Sequence, residues 1–256
     1  MRDTNDAVAG PSRPDGEDGS GPDDASIVFL FAVALSAGTG ATDVASFVRL
    51  GNVFASVMTG NLVLLGLAVE RLSATLATNS VIAVVGYVAG VAAGARLVST
   101  GQEPRWRLHR VIPALFVETV LLTGFAVGWE LTGARPDGGS KLALLAVASA
   151  AMGTQSAAAR GLSSRVSTTY LTGTLTTMIA ALVTRNRDKR VQWRELWQLL
   201  AVAGGAALGG LVTAVASAVL PALPLMAVVA VIVGIMVLER PPAGDRQQKV
   251  APGRQP

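Results

Sequence analysis

The chain has no cysteine, one histidine and few charges for its length: 256 residues, 15% of them Asp, Glu, Lys or Arg. Each shortage excludes something. Without cysteine there are no disulfides, thiolate metal sites or thiol nucleophiles. The lone His109 lies in a basic stretch beside Arg107 and Arg110 and reads as a solvated loop residue rather than a metal ligand. Soluble domains carry roughly 25% charged residues, and a large soluble core does not explain so low a figure. Enzyme signatures are missing too. There is no HExxH and no G-x-S-x-G, and the stretch from Gly38 to Asp43, "GTGATD", lacks the third glycine of a dinucleotide loop and follows no soluble strand. The sequence predicts no enzyme and no cofactor. The net charge of +4 suits loops at a membrane surface, since no basic soluble domain is long enough to hold nucleic acid.

What is present is oil. Hydrophobic residues make up 51%, in uncharged runs at about 26–48, 53–69, 80–99, 111–129, 142–159, 168–183, 196–219 and 222–238. Crossing a ~30 Å hydrocarbon layer takes about 20 helical residues, and most of the runs are long enough. The expected fold is all-α, a polytopic helical membrane protein with eight hydrophobic segments. Trp106, Trp129, Trp193 and Trp197 lie near segment ends, as an interfacial aromatic belt requires. Residues 1–25 and 241–256 hold too few large apolar side chains to fold and read as disordered tails. The N-terminal one lacks a basic signal-peptide start, so the first segment is expected to be a retained span.

The chain also repeats itself. "VMTGNL" (57–62) and "YLTGTL" (170–175) place Thr59 and Gly60 on Thr172 and Gly173 at an offset of 113. The same offset pairs Ser36 with Ser149, Gly40 with Gly153 and Leu62 with Leu175. One further residue of shift lays "VAGVAAGARL" (88–97) on "VAGGAALGGL" (202–211). The reading is two repeated halves, about 26–132 and 141–239, each with a short TG-bearing second segment. Loop charge bears on whether those segments cross. If all eight segments cross, the Lys and Arg residues divide 14 to 7, with Arg96, Arg105, Arg107 and Arg110 on the poorer side. If segments 2 and 6 are re-entrant or broken, the division is 17 to 4, with both tails and the loops at 96–110 and 185–194 facing the cytoplasm of a plasma-membrane protein. Six spans plus two short segments fit the charges better than eight. The basic loop at 185–194 would then lie beside anionic headgroups. Three crossings per half make the halves inverted repeats, an architecture of secondary transporters.

Two stretches resemble the signatures of a known family. "GATDVASFVRLGNVFASVMTGNLVLLGLA" (40–68) and "MGTQSAAARGLSSRVSTTYLTGTLT" (152–176) are similar to those of the YoaK-like membrane proteins, DUF1275 or UPF0700. The resemblance covers about 26–238. It implies a multi-span membrane protein of unassigned function, so it brings no catalytic residue. The matching positions are Asp43, Thr59, Gly60, Asn61, Gln155, Thr172 and Gly173. Where many relatives have Asn after the Gln, this chain has Ser156.

Read physically, these residues allow two accounts. Asp43 is either a cation or proton site beside Thr59 and Asn61, or a helix-end acid paired with Arg49. Glu118, deep in "VIPALFVETVLLTGF", is protonated, paired across the bundle with Arg96 or Arg160, or beside a wet cavity. The TG motifs either break a helix toward a cavity or let two helices pack closely. Gly86, Gly90 and Gly94, and Gly205 and Gly209, form small-residue ladders expected to serve packing. Leucine at Gly60 or Gly173 is accordingly expected to harm function more than leucine at Gly90. The candidate substrate-binding set is Asp43, Thr59, Gly60, Asn61, Glu118, Gln155, Thr172 and Gly173. It serves either a transporter of a small solute or ion, with a polar cavity lined by Thr59, Asn61, Gln155 and Thr172, or a non-transporting scaffold, lipid-binding or assembly protein with a dry interior. The lipid bilayer is the one firm partner.

Overall fold

The computed structural model describes residues 22–99, 109–162 and 189–238, together with 175, 176, 179 and 183. The described chain is all-helical: α1 (Pro22–Arg49), α2 (Met58–Glu70), α3 (Ala74–Ser99), α4 (Ile112–Leu131), α5 (Gly138–Leu162), α6 (Lys189–Val215) and α7 (Ala222–Leu238). Single 3-10 turns lie at His109–Val111 and Ser217–Val219. Six stretches are long and apolar enough to cross a bilayer: Ser26–Arg49, Ala74–Val98, Ile112–Leu131, Gly138–Gly161, Trp193–Val215 and Ser217–Val237. The helix α2, 13 residues long, is too short. The sixth expected segment, 168–183, lies mostly outside the described residues, as do both tails beyond 22 and 238. Helix α1 begins at Pro22, inside the expected tail.

The second expected segment, 53–69, is not one helix. Helix α1 ends where the Asn52 amide reaches back to the Phe47 carbonyl (3.1 Å), with Gly51 at φ +109°. Gly51 is required there twice, because a Cβ would also stand 2.1 Å from Asn79 Nδ2. Residues 50–57 then run irregularly back alongside α1, bringing Ser56 to Asp43. Helix α2 returns from that depth, and a short turn leads into α3. Asn79, near the start of α3, donates to the Gly51 carbonyl (3.1 Å), so α1 ends and α3 begins at one face. The stretch 50–70 is thus a hairpin that enters and leaves on the same side.

Two glycine seams hold the long helices. Helices α3 and α5 run parallel: Gly86 lies on Ala146, Gly90 on Ala150 and Gly94 on Thr154. Helices α1 and α6 also run parallel: Gly205 lies on Ala37 and Gly209 on Ala41. A Cβ on Gly40 would meet the Val202 oxygen at 2.2 Å and the Ala206 nitrogen at 2.8 Å. A Cβ on Gly153 would meet the Tyr87 oxygen and the Val91 nitrogen at the same two distances. The packing role expected of both ladders is what they perform. The like contacts of Gly40 and Gly153 set residues 87 and 91 beside 202 and 206, a separation of 115 positions where the sequence reading has 114. Stretches this rich in alanine and glycine match in several registers, and only the contacts choose among them.

The remaining ends close consistently. Trp129 Nε1 donates to the Ser217 carbonyl (2.8 Å), joining the end of α4 to the turn between α6 and α7. At the opposite face Gly161 of α5 abuts Val98 and Val111. The start of α1 and the end of α7 share this second face. A buried cluster that includes Leu115, Leu122, Phe125, Trp129, Leu145 and Met152 fills the space around α4 and α5.

Candidate functional site

The hairpin 50–70 carries Asn61 and packs back against Asp43 of α1, and the first task of these two side chains is to replace backbone hydrogen bonds. Irregular backbone at bilayer depth needs partners that water would otherwise supply. Asn61, on the first turn of α2 and fully buried, supplies two. Its Oδ1 accepts from the Phe54 amide (2.9 Å) and its Nδ2 donates to the Phe54 carbonyl (2.6 Å). Asp43 on α1 does the same one step along. Its Oδ1 accepts from the Ser56 amide (2.8 Å) and its Oδ2 from the Ser56 hydroxyl (2.5 Å). A carboxylate oxygen accepting from O–H at that distance is a charge-assisted bond, about twice as strong as a neutral one. Asp43 does not pair with Arg49, whose Nε is buried without a partner.

Gly60 lets the Phe54 ring lie close to α2, since a Cβ there would stand 3.1 Å from Phe54 Cδ2. Phe54 stacks on Phe47 of α1, with ring centroids 5.1 Å apart. Beside them lies an open groove of about 360 Å³ whose lining, Asp43 included, is almost wholly apolar. It sits between α1, the hairpin and α6, with Phe47, Phe54 and Val57 on one side and Gly40, Val202 and Ala206 on the other. Thr59 is exposed, and neither it nor Asn61 borders this groove.

Gln155 is not with the first TG motif. It bridges α5 to α1, donating from Nε2 to the Leu35 carbonyl (2.9 Å) while its Oε1 stands 3.2 Å from Thr39 Oγ1. Its neighbour Ser156 accepts a 2.8 Å hydrogen bond from the Tyr87 hydroxyl, which ties α5 to α3. Glu118 of α4 is 1% exposed, and its Oε2 has no hydrogen-bond partner. Its expected partners Arg96 and Arg160 are both exposed toward the ends of α3 and α5. Thr172 and Gly173 lie outside the described residues, so whether the two TG motifs face each other does not enter the geometry.

The sequence reading missed Ser56, Asn79 and the Phe47–Phe54 pair. Ser56 and Asn79 carried a usable signal, because a hydroxyl and an amide flanking a short oily segment are what an interrupted backbone needs. The aromatic pair carried none, being apolar residues among apolar residues.

Comparison with known proteins agrees with this architecture. Residues 31–236 match the family model described as "Protein of unknown function (DUF1275)". The chain is also 34% identical over 141 residues to the UPF0700 transmembrane protein YoaK of Bacillus subtilis (strain 168). That alignment spans 55% of this chain and 60% of the relative's length. No solved structure matches. With a family model covering the bundle from α1 to α7, and a transmembrane relative sharing a third of the aligned residues, the chain belongs to the DUF1275 family of YoaK-like membrane proteins.

Proposed function

We propose that this protein is a secondary transporter of a small solute or ion, built from two inverted halves whose third helices are exchanged. The first long helix of each half, α1 or α5, packs on the last-but-one long helix of the other, α6 or α3, through the matching seams at Gly40 and Gly153. Parallel α1 and α6, parallel α3 and α5, and opposed α1 and α3 are the directions that inverted halves require. Sites in such proteins sit where interrupted helices bring irregular backbone to a cavity. The observation that carries the reading is Asp43: an acid held inside the bundle by an interrupted segment, at the border of an open groove. Glu118 supplies a second buried acid suited to a coupling ion, because intramembrane acids are costly and serve conduction or proton relay.

The test is solute-evoked current from the full chain reconstituted on a supported membrane, screened with small organic cations, amino acids, carboxylates and inorganic ions. Saturable current is expected from one class. Glu118→Gln should lower it at least tenfold while leaving folded yield near that of the native chain, since among the described residues no Lys or Arg forms a salt bridge with Glu118. Silence across the panel would favour a second reading, a non-transporting scaffold or lipid-binding protein. That reading draws on Asn61 and Gln155, whose polar groups are engaged within the protein as a dry interior requires.

The same proposal sets the face. The end that carries Arg96, Arg110, Arg160 and Arg194 faces the cytoplasm of the plasma membrane, with both tails, because it holds the excess of Lys and Arg. The cysteine-free chain allows a direct check. In intact cells an impermeant thiol reagent should label Asp137→Cys and spare Gln102→Cys and Asp188→Cys. Labelling at 102 would restore eight crossings.

A further inference from the structure

We propose that the coupling ion is a proton and that Glu118 is the residue that binds it. The inference rests on the transport reading and names its ion, but the proton site stands on its own geometry. The two intramembrane acids sit in opposite settings. Asp43 accepts from the amide and the hydroxyl of Ser56, one on each oxygen, and is built as a carboxylate. Glu118, on the second turn of α4, is 1% exposed. Its Oε2 has no donor, and among the described residues it forms no salt bridge. Ala114, Leu115, Leu122 and Phe125 share its buried face of α4. Helix α7, packed on α4, has no polar side chain from Ala222 to Leu238. The charged groups of the other neighbours lie at element ends: Lys141 and Arg160 of α5, Arg96 of α3, and His109 and Arg110 in the turn before α4. The Tyr87 hydroxyl of α3 donates to Ser156. An ionised carboxyl so placed has neither countercharge nor donors, and binding a proton removes that cost.

A proton suits this site where a metal cation does not. It needs one oxygen, and the step is a single proton passing from hydronium to a carboxylate oxygen, leaving water. A hard metal cation takes about six oxygens, and transporters supply many of them as backbone carbonyls freed where a helix breaks. Helix α4 runs unbroken from Ile112 to Leu131, so the carbonyls beside Glu118 are engaged within the helix. The adjacent hydroxyl, Thr119, donates to the Leu115 carbonyl (2.8 Å). Among the described residues no three of His, Asp and Glu converge.

The experiment is infrared spectroscopy of the full chain reconstituted in ether-linked phospholipid, which has no ester carbonyl to mask the signal. At neutral pH a carboxylic-acid carbonyl band is expected. Glu118→Gln should remove it, Glu118→Asp should move it, and Asp43→Asn should leave it in place. Transfer to heavy water should shift the band within minutes, as O–H becomes O–D. Sodium or potassium chloride should leave it unchanged. Should Glu118→Gln not yield monodisperse protein, Glu118→Asp decides instead, because the band of any other acid would not move. The proton site is overturned if the native chain shows no such band, if the band survives Glu118→Gln or stays put in Glu118→Asp, or if folded Asp43→Asn loses it. Loss of the band in sodium or potassium, or exchange no faster than that of the core amides, overturns it too. The two levels separate. An exchangeable band with no current from any solute keeps the proton site and removes the transporter. Solute current driven by sodium, with no acid band, keeps the transporter and removes this site.

Discussion

Alanine at Gly205 is expected to abolish folded yield, while alanine at the adjacent Gly204 is expected to leave it unchanged or improved. A Cβ on Gly205 would lie 2.0 Å from the Ala37 oxygen and 2.6 Å from its carbonyl carbon. The obstacle is backbone of α1, which cannot rotate away as a side chain can. Helices α1 and α6 would have to separate by more than an ångström along the seam, opening the contacts at Gly40 and Gly209 with it. Overpacking of a core costs about 1–3 kcal/mol when side chains can adjust, and here the cost should exceed that. Nothing lies within 4 Å of a Cβ on Gly204, so alanine there should gain up to about 1 kcal/mol of helix propensity. Gly90, whose Cβ would stand 2.0 Å from the Ala150 oxygen, should behave like Gly205, and Gly124, with open space, like Gly204. Monodisperse yield and thermal midpoint in detergent read all four. Equal behaviour of Gly204→Ala and Gly205→Ala would overturn the close seam between α1 and α6. For stability the same geometry gives a ranking of its own, separate from the one expected for function. At Gly60 the nearest atoms belong to the Phe54 ring at 3.1 Å, a side chain that can yield, so Gly90 and not Gly60 is the less tolerant site.

How far this could be read from sequence depended on which physical signal each feature leaves. The six spans were legible because a bilayer demands long uncharged runs and the chain has them. The shortness of α2 was legible too, as a TG-bearing run at the lower limit of length. Its division into eight irregular residues and a helix was not. An apolar residue in an extended return strand and one in a helix leave the same hydropathy. The glycine ladders announced packing but not their partners, since small residues permit any close neighbour. That α3 seats on α5, and α6 on α1, is a tertiary fact. The polar residues were the hardest case. Inside a membrane, Asn, Gln and Asp side chains either face a cavity or satisfy interrupted backbone, and composition does not separate the two. Gln155 and Asn61 proved to do the second, and Asp43 does too, holding Ser56 beside the groove. Glu118 was legible as a buried acid, and that its expected partners Arg96 and Arg160 are exposed toward helix ends became visible only in the structure.

Asn61→Leu is expected to lose the hairpin. Leucine has the same number of side-chain heavy atoms as asparagine and suits an apolar helix better, so on hydropathy alone the change should stabilise. It removes, however, the acceptor for the Phe54 amide and the donor for the Phe54 carbonyl at once. Neither group has a helical partner, because residues 50–57 form no helix. Left unpaired away from water, a buried polar group costs roughly 1–3 kcal/mol by mutational measure and more in hydrocarbon. Two of them should cost about 2–6 kcal/mol, enough to expel the stretch from the bundle. The consequence would spread: Ser56 would leave Asp43, the Phe47–Phe54 stack would open, and the groove would lose one wall. Asn61→Gln offers a graded comparison, keeping the amide but one methylene too far out, and should retain part of the stability. Thr59→Leu, two residues away and exposed, should be close to neutral. A cysteine at Val57 in each background reports the hairpin directly. Its reaction rate with a small thiol reagent should rise several-fold in Asn61→Leu and stay at the native rate in Thr59→Leu. If Asn61→Leu leaves both that rate and the thermal midpoint unchanged, the amide does not hold the hairpin, and its burial serves something other than the backbone of Phe54.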